Sequence, residues 1–336
     1  MGKRLPIKVL LAGCDPEVQL RVAPALAKAA NGRTDPVELA AVYGAAAGHA
    51  QSAAQAFGFK AHGADLNELF RTAAPSVVVA AVPTDQAVAE ISALLAYKAP
   101  MLLVPPLGKS LDDILAMSEA ARKSGARPMV AMSRRFSPYL CRAVQWGRQL
   151  GPIKMVRAHL RAVGQVDGPF IWNSGVHAID AIASILGRIE GVELRVPKDS
   201  AAAAVSLRFA NQTCGQVELA GGAEHTQESY EIIGEGYQAV VVLQALAGPS
   251  MQCWRGPKIE VRIQAPAAEP AIQHDGMFEA MMAFFDAVAA QTKLSPTLED
   301  VLPAFDLAQR LIGELAAATT PAAAPPETAP LAVAVA

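Results

Sequence analysis

His177 and Asp180 stand three residues apart in Gly175-Val176-His177-Ala178-Ile179-Asp180, and residues at that spacing share one face of a helix. A carboxylate beside an imidazole raises the imidazole pKa and fixes its tautomer, which suits it to taking a proton from a hydroxyl. Asn173 adds an uncharged hydrogen-bonding group to the same stretch. Capping and packing a helix would use the same residues, and the pattern alone leaves both readings open. Arg135, with Arg134, Trp172 and His159, would complete a polar, partly aromatic pocket for a sugar-like ligand. Paired arginines are equally at home on a surface, and Trp172 in a core. No metal-ligand spacing, nucleophile elbow, Walker loop or basic–aromatic stripe occurs in the chain.

Two kinds of sequence must position these groups. Through about residue 130, short apolar runs (Ile7–Ala12, Val37–Val42, Ser76–Val82, Met101–Val104, Arg127–Met132) alternate with helical patterns (Glu17–Ala30, Ala45–Phe57, Asp65–Arg71, Asp85–Ala96, Leu111–Lys123). Strands that are apolar throughout, rather than alternating, are buried on both faces, so these units predict a Rossmann-like doubly wound parallel sheet of the α/β class. Past Ser137 the rhythm changes. Pro138–Leu150 and Trp172–Leu186 read as helices, and Ile153–Val163 as a strand. Gly215–Leu219 and Ile259–Ile263 alternate strictly, as in an antiparallel sheet with one covered face. Met277–Gln291 and Leu298–Ala317 read as closing helices, the second opened by Ser295-Pro296-Thr297 and an acidic first turn. The expected division is a nucleotide-binding-type domain over 1–133, an α+β substrate or oligomerisation domain over 134–318, and a disordered Pro/Ala-rich tail over 319–336.

Composition narrows the functional classes. With 29 basic against 31 acidic residues, the chain has no positive surplus to hold nucleic acid or an anionic membrane. Its four cysteines lack disulfide-framework or zinc spacing. Leu11-Ala12-Gly13-Cys14 has the look of a lipoprotein cleavage box, but Lys8 cuts the apolar run too short for a signal peptide. A cytoplasmic protein is expected.

The order of parts resembles the Gfo/Idh/MocA (glucose–fructose oxidoreductase / inositol dehydrogenase-like) family, as a divergent member. Gly13-Cys14 after the first strand, Val82-Pro83, Arg135-Phe136-Ser137-Pro138, the His177/Asp180 segment and Ser295-Pro-Thr-Leu-Glu-Asp300 carry the likeness. The resemblance implies hydride transfer between a sugar or cyclitol hydroxyl carbon and NAD or NADP, with substrate bound where the domains meet. It places cofactor contacts at Gly13, Cys14, Asp15, Val82 and Pro83. His177, Asp180 and Asn173 then form the catalytic set and Arg135 and Trp172 the substrate contacts, without a metal.

Several positions depart from the family's pattern. A diphosphate needs glycines at the first turn, yet Asp15 stands where the second belongs, with Glu17 close by. Like charges about 4 Å apart repel by roughly 4 kcal/mol at an effective dielectric of 20. Gly44 replaces the acid expected for the ribose, and no Arg or Lys follows closely. Pro105 replaces the family's catalytic lysine, and Lys109 lies three residues past Pro106. The expectation is therefore a non-catalytic or functionally diverged protein that binds a sugar-like small molecule, as a homo-oligomer or as an accessory to a catalytic partner. The alternative is an active NAD(P)-dependent oxidoreductase with His177 as base and Asp180 orienting it.

Overall fold

The computed structural model describes residues 5–33, 35–44, 47–197, 202–268 and 271–319. The first sheet holds β1 (Ile7–Ala12), β2 (Val37–Tyr43), β3 (Ala61–Gly63), β4 (Val77–Ala80), β5 (Met101–Leu103) and β6 (Met129–Val130). Its order is β3-β2-β1-β4-β5-β6, with every pair parallel. Val9, Leu10, Val78, Val79 and Leu102 have no exposed surface, because helices cover both faces. The order reverses between β1 and β4, and a ligand crevice forms beyond the carboxyl ends of such a pair.

The second sheet holds β7 (Ile153–Arg161), β8 (Ile189–Arg195), β9 (Ala202–Phe209), β10 (Cys214–Ala220), β11 (Gln227–Gly234), β12 (Tyr237–Gln244), β13 (Ser250–Arg255) and β14 (Lys258–Gln264). Its order is β14-β13-β12-β11-β7-β10-β9-β8, antiparallel except for the parallel pair β7–β10. Burial alternates along β9 to β12, so one face is covered. On that face Val205, Leu207, Val217, Leu219 and Ile232 share a core with Ala143, Val144, Ile179 and Ile182 of the helices Pro138–Leu150 and Val176–Leu186.

The chain returns to the first domain after this sheet. Met277, Met281, Phe284 and Phe285 of the helix Met277–Ala290 lie in one core with Val9, Leu11, Val77 and Leu102. The last helix, Leu298–Thr319, sets Phe305 against Trp172 with ring centroids 5.1 Å apart. Among the described residues, no helix is long and apolar enough to cross a membrane. The tail expected beyond Thr319 lies outside the described residues.

The expected elements occur, with additions and one change of form. β3 is too short for a period to show, and β8, β9 and β11 to β13 lie outside the runs named from the sequence. The helices expected over Glu17–Ala30 and Trp172–Leu186 each begin with a wide i→i+5 turn, at Val18–Val22 and Ile171–Gly175. Such turns gather at functional sites, because they shift side chains off the regular helical face. Both border the same cavity.

Candidate functional site

A cavity of about 790 Å³ opens between the carboxyl ends of β1 and β4 and the covered face of the second sheet. Asp15, Val82, Pro83, Asn173 and His177 line it. Gly13, Cys14, Arg135, Trp172 and Asp180 do not reach its wall. Gly13 instead shapes the first turn: its φ is +109°, and a Cβ there would strike the Ala81 carbonyl. The backbones of β1 and β4 thus meet too closely for any side chain.

The expected His177–Asp180 couple does not form. Asp180, 1% exposed, accepts two hydrogen bonds from Arg135, from Nε and Nη2, both at 2.6 Å. The wide turn and the helix that follows carry the carboxylate toward the domain-crossing segment, away from the cavity. Burial holds the Asp180 carboxyl above its ordinary pKa despite that partner. Arg135 is thus paired with Asp180 and lies outside the cavity lining. Trp172 also lies outside it: it is 4% exposed and its Nε1 donates to the Gly108 carbonyl at 2.9 Å. His159 points from β7 toward Glu218 of β10, with Nδ1 and Oε2 at 3.0 Å, outside the cavity.

Two arginines, Arg21 and Arg134, line the cavity, and Arg134 is the more buried of the two. Its Nε and Nη2 donate to the two Glu228 oxygens at 2.7 Å each, and Tyr230 Oη donates to Glu228 Oε1 at 2.7 Å. Burial alone would raise the Glu228 pKa, but the Arg134 charge and these hydrogen bonds bring it below the ordinary value. The signal was present in the sequence. Glu228 sits in phase with Tyr230 and Ile232 on the inward side of an alternating strand, where a lone carboxylate demands a partner.

His177 faces this cluster. Burial, reinforced by the Arg134 and Arg21 charges, pushes its pKa down to about 3, while Glu228 opposes the shift. Its Nδ1 has no hydrogen-bond partner. A neutral imidazole of that basicity can hold a ligand hydroxyl but is poorly matched to removing its proton near pH 7.

The first-domain wall is lined at its turn by acidic side chains. Asp15 Oδ1 accepts from the Val18 N–H at 2.9 Å, so a side chain already occupies the helix start where a diphosphate would be held. Glu17 and Asp85 also line this end. Pro105 lines the cavity in the family's lysine position, and Lys109 lies exposed outside it, its backbone N–H donating to Asp113 Oδ2 at 2.7 Å. No lysine lines the cavity among the described residues. Nor do the described residues gather three or more His, Cys, Asp or Glu that could hold a metal ion.

A doubly wound parallel sheet with a crevice at its order reversal is the arrangement of dinucleotide-binding folds, and here it is joined to a half-covered antiparallel sheet. Residues 7–132 match the model of the GFO_IDH_MocA family, described as "Oxidoreductase family, NAD-binding Rossmann fold". The match to that family model therefore spans the parallel-sheet part of the chain. No curated protein matches the sequence. Among solved structures, a dehydrogenase from Chromobacterium violaceum is similar over 94% of this chain and 95% of its own, with a TM-score of 0.76 and 16% identity. Levoglucosan dehydrogenase in complex with NADH is similar over 94% and 98%, with a TM-score of 0.76 and 17% identity. An oxidoreductase from Agrobacterium radiobacter, in complex with NAD+, L-tartaric acid and magnesium, is similar over 93% and 97%, with a TM-score of 0.72 and 18% identity. These likenesses extend the shared fold through the second domain.

Proposed function

We propose that this chain is a diverged oxidoreductase-family protein that binds a small, polar, sugar-like molecule in its interdomain cleft, without the family's usual dinucleotide-dependent hydride transfer. The observation that carries this reading is Asp15 seated on the Val18 N–H. It places a negative charge at the point where a diphosphate would need a donor. Pro105 in the lysine position and the low basicity of His177 support it, since neither supplies a ready path for the substrate proton. Arg134, Asn173 and His177 offer donors and acceptors to a hydroxylated ligand. Its setting as a cytoplasmic homo-oligomer or accessory subunit, touching neither nucleic acid nor membrane, and the domain division at residues 133/134 are parts of the same proposal.

A second reading keeps the enzyme: an NAD(P)-dependent oxidoreductase acting on a sugar or cyclitol hydroxyl. The match across the dinucleotide domain and the close Gly13–Ala81 approach favour it. Titration with NADH and NADPH, followed by nicotinamide fluorescence, decides between the two. Silence up to millimolar concentration is expected for the diverged binder. Micromolar binding of either nucleotide would return the protein to the working dehydrogenases.

A further inference from the structure

Cys14 and Gly44 meet at a corner of the first domain that the charge of Asp15 does not account for. Gly44 follows β2 directly, and the backbone pins it beside the first turn. The Gly13 N–H donates to the Tyr43 carbonyl at 2.9 Å, and the Gly44 N–H to the Gly63 carbonyl at 3.1 Å. In a dinucleotide-binding sheet an acidic side chain from the end of this strand holds the ribose hydroxyl. Here a Cβ on Gly44 would land on Cys14 Sγ, with Cys14 Cβ a further contact at 3.4 Å. Cys14 is 5% exposed and packs in one core with Val18, Val42, Ala50 and Ala53. Its carbonyl accepts from Gln19 Nε2 at 2.8 Å, which ties the turn to the helix behind it. The thiol is thus core filling placed where a residue-44 side chain would stand.

Resting on the diverged-binder reading, we infer that Cys14 sets the ligand class of the crevice: its thiol takes the room of a ribose-binding acid, so the site accepts ligands lacking an adenosine ribose. The ligand then lies toward Arg134 and His177. Cys14, expected as a cofactor contact, is instead the residue that closes that subsite.

The test uses the full chain and two readouts, thermal melting and NADH fluorescence. Gly44→Asp should lower Tm by about 2–8 °C, and Cys14→Gly in the same chain should recover most of the loss. In a background of Asp15→Gly with Gly44→Asp, adding Cys14→Gly should tighten NADH binding about tenfold or more. Should the aspartate variants fail to fold, the milder Gly44→Ala pair reports the same packing by melting. Equal melting of the residue-44 variants with Cys or Gly at position 14, or NADH binding indifferent to residue 14, would overturn the inference. Micromolar NADH binding by the unaltered protein would overturn the proposed function and the exclusion of an adenosine ribose together, whereas equal melting alone overturns only the interlock of the two residues.

Discussion

The two walls of the cleft keep different things. The first-domain wall retains the backbone of a nucleotide-binding domain: the strand order, the positive-φ glycine and the close approach of β1 to β4. Its lining includes the acidic side chains Asp15, Glu17 and Asp85 and the ring of Pro105. The second-domain wall has a dense polar cluster, Arg134–Glu228–Tyr230, in which the carboxylate is satisfied by three hydrogen-bond donors. Backbone geometry is fixed by core packing and tolerates changes in the side chains that line a site. Site chemistry depends on a few side chains and changes one residue at a time.

This contrast assigns stability to one wall and little to the other, and substitutions can break it. Glu228→Gln leaves the Arg134 charge buried without its carboxylate, and removing one partner of a buried pair costs about 3–5 kcal/mol. Urea unfolding should show a loss of that order. A loss below about 1 kcal/mol would mean that water reaches the cluster.

His177 gives a smaller, pH-dependent effect. Its folded pKa of about 3 lies below the ordinary 6.5, so the unfolded chain takes up the proton first as pH falls. Its contribution to stability is complete above about pH 6.5 and declines toward pH 3. Replacing it by Gln should flatten that part of the profile, read as urea midpoints at pH 7, 5 and 4. Unchanged midpoints at every pH would place the imidazole in solvent. The smallest effect belongs to the first-domain wall. Asp15→Ala removes a helix cap and should cost about 1 kcal/mol in the same unfolding assay.

Much of the fold was legible because the strands declare their surroundings. Uniformly apolar β4 is buried on both sides and alternating β10 on one, and each pattern survives in a single sequence. The site was only half legible. Asp15 and Pro105 could be read from residue type and position, since an aspartate brings a carboxylate to the turn and a proline side chain has no titratable group. Asp180 could not. Its spacing from His177 is right for a couple, but Arg135, 45 positions earlier in sequence, competes for it and wins with two hydrogen bonds. Glu228 and Arg134 are 94 positions apart, and their pairing exists only once β11 and the crossing segment fold together. Spacing rules describe neighbours along one element, and these contacts join different ones.

The helix Met277–Ala290 has a consequence for how the molecule comes into being. It completes the packing of β1 and β4 from the far end of the chain, with Phe284 and Phe285 against strands that emerged from synthesis long before. A nascent N-terminal half therefore carries an unfinished oily flank until the last portion is made. Chaperone contact during translation would fall on that flank, and maturation of the first sheet would wait on the closing helices.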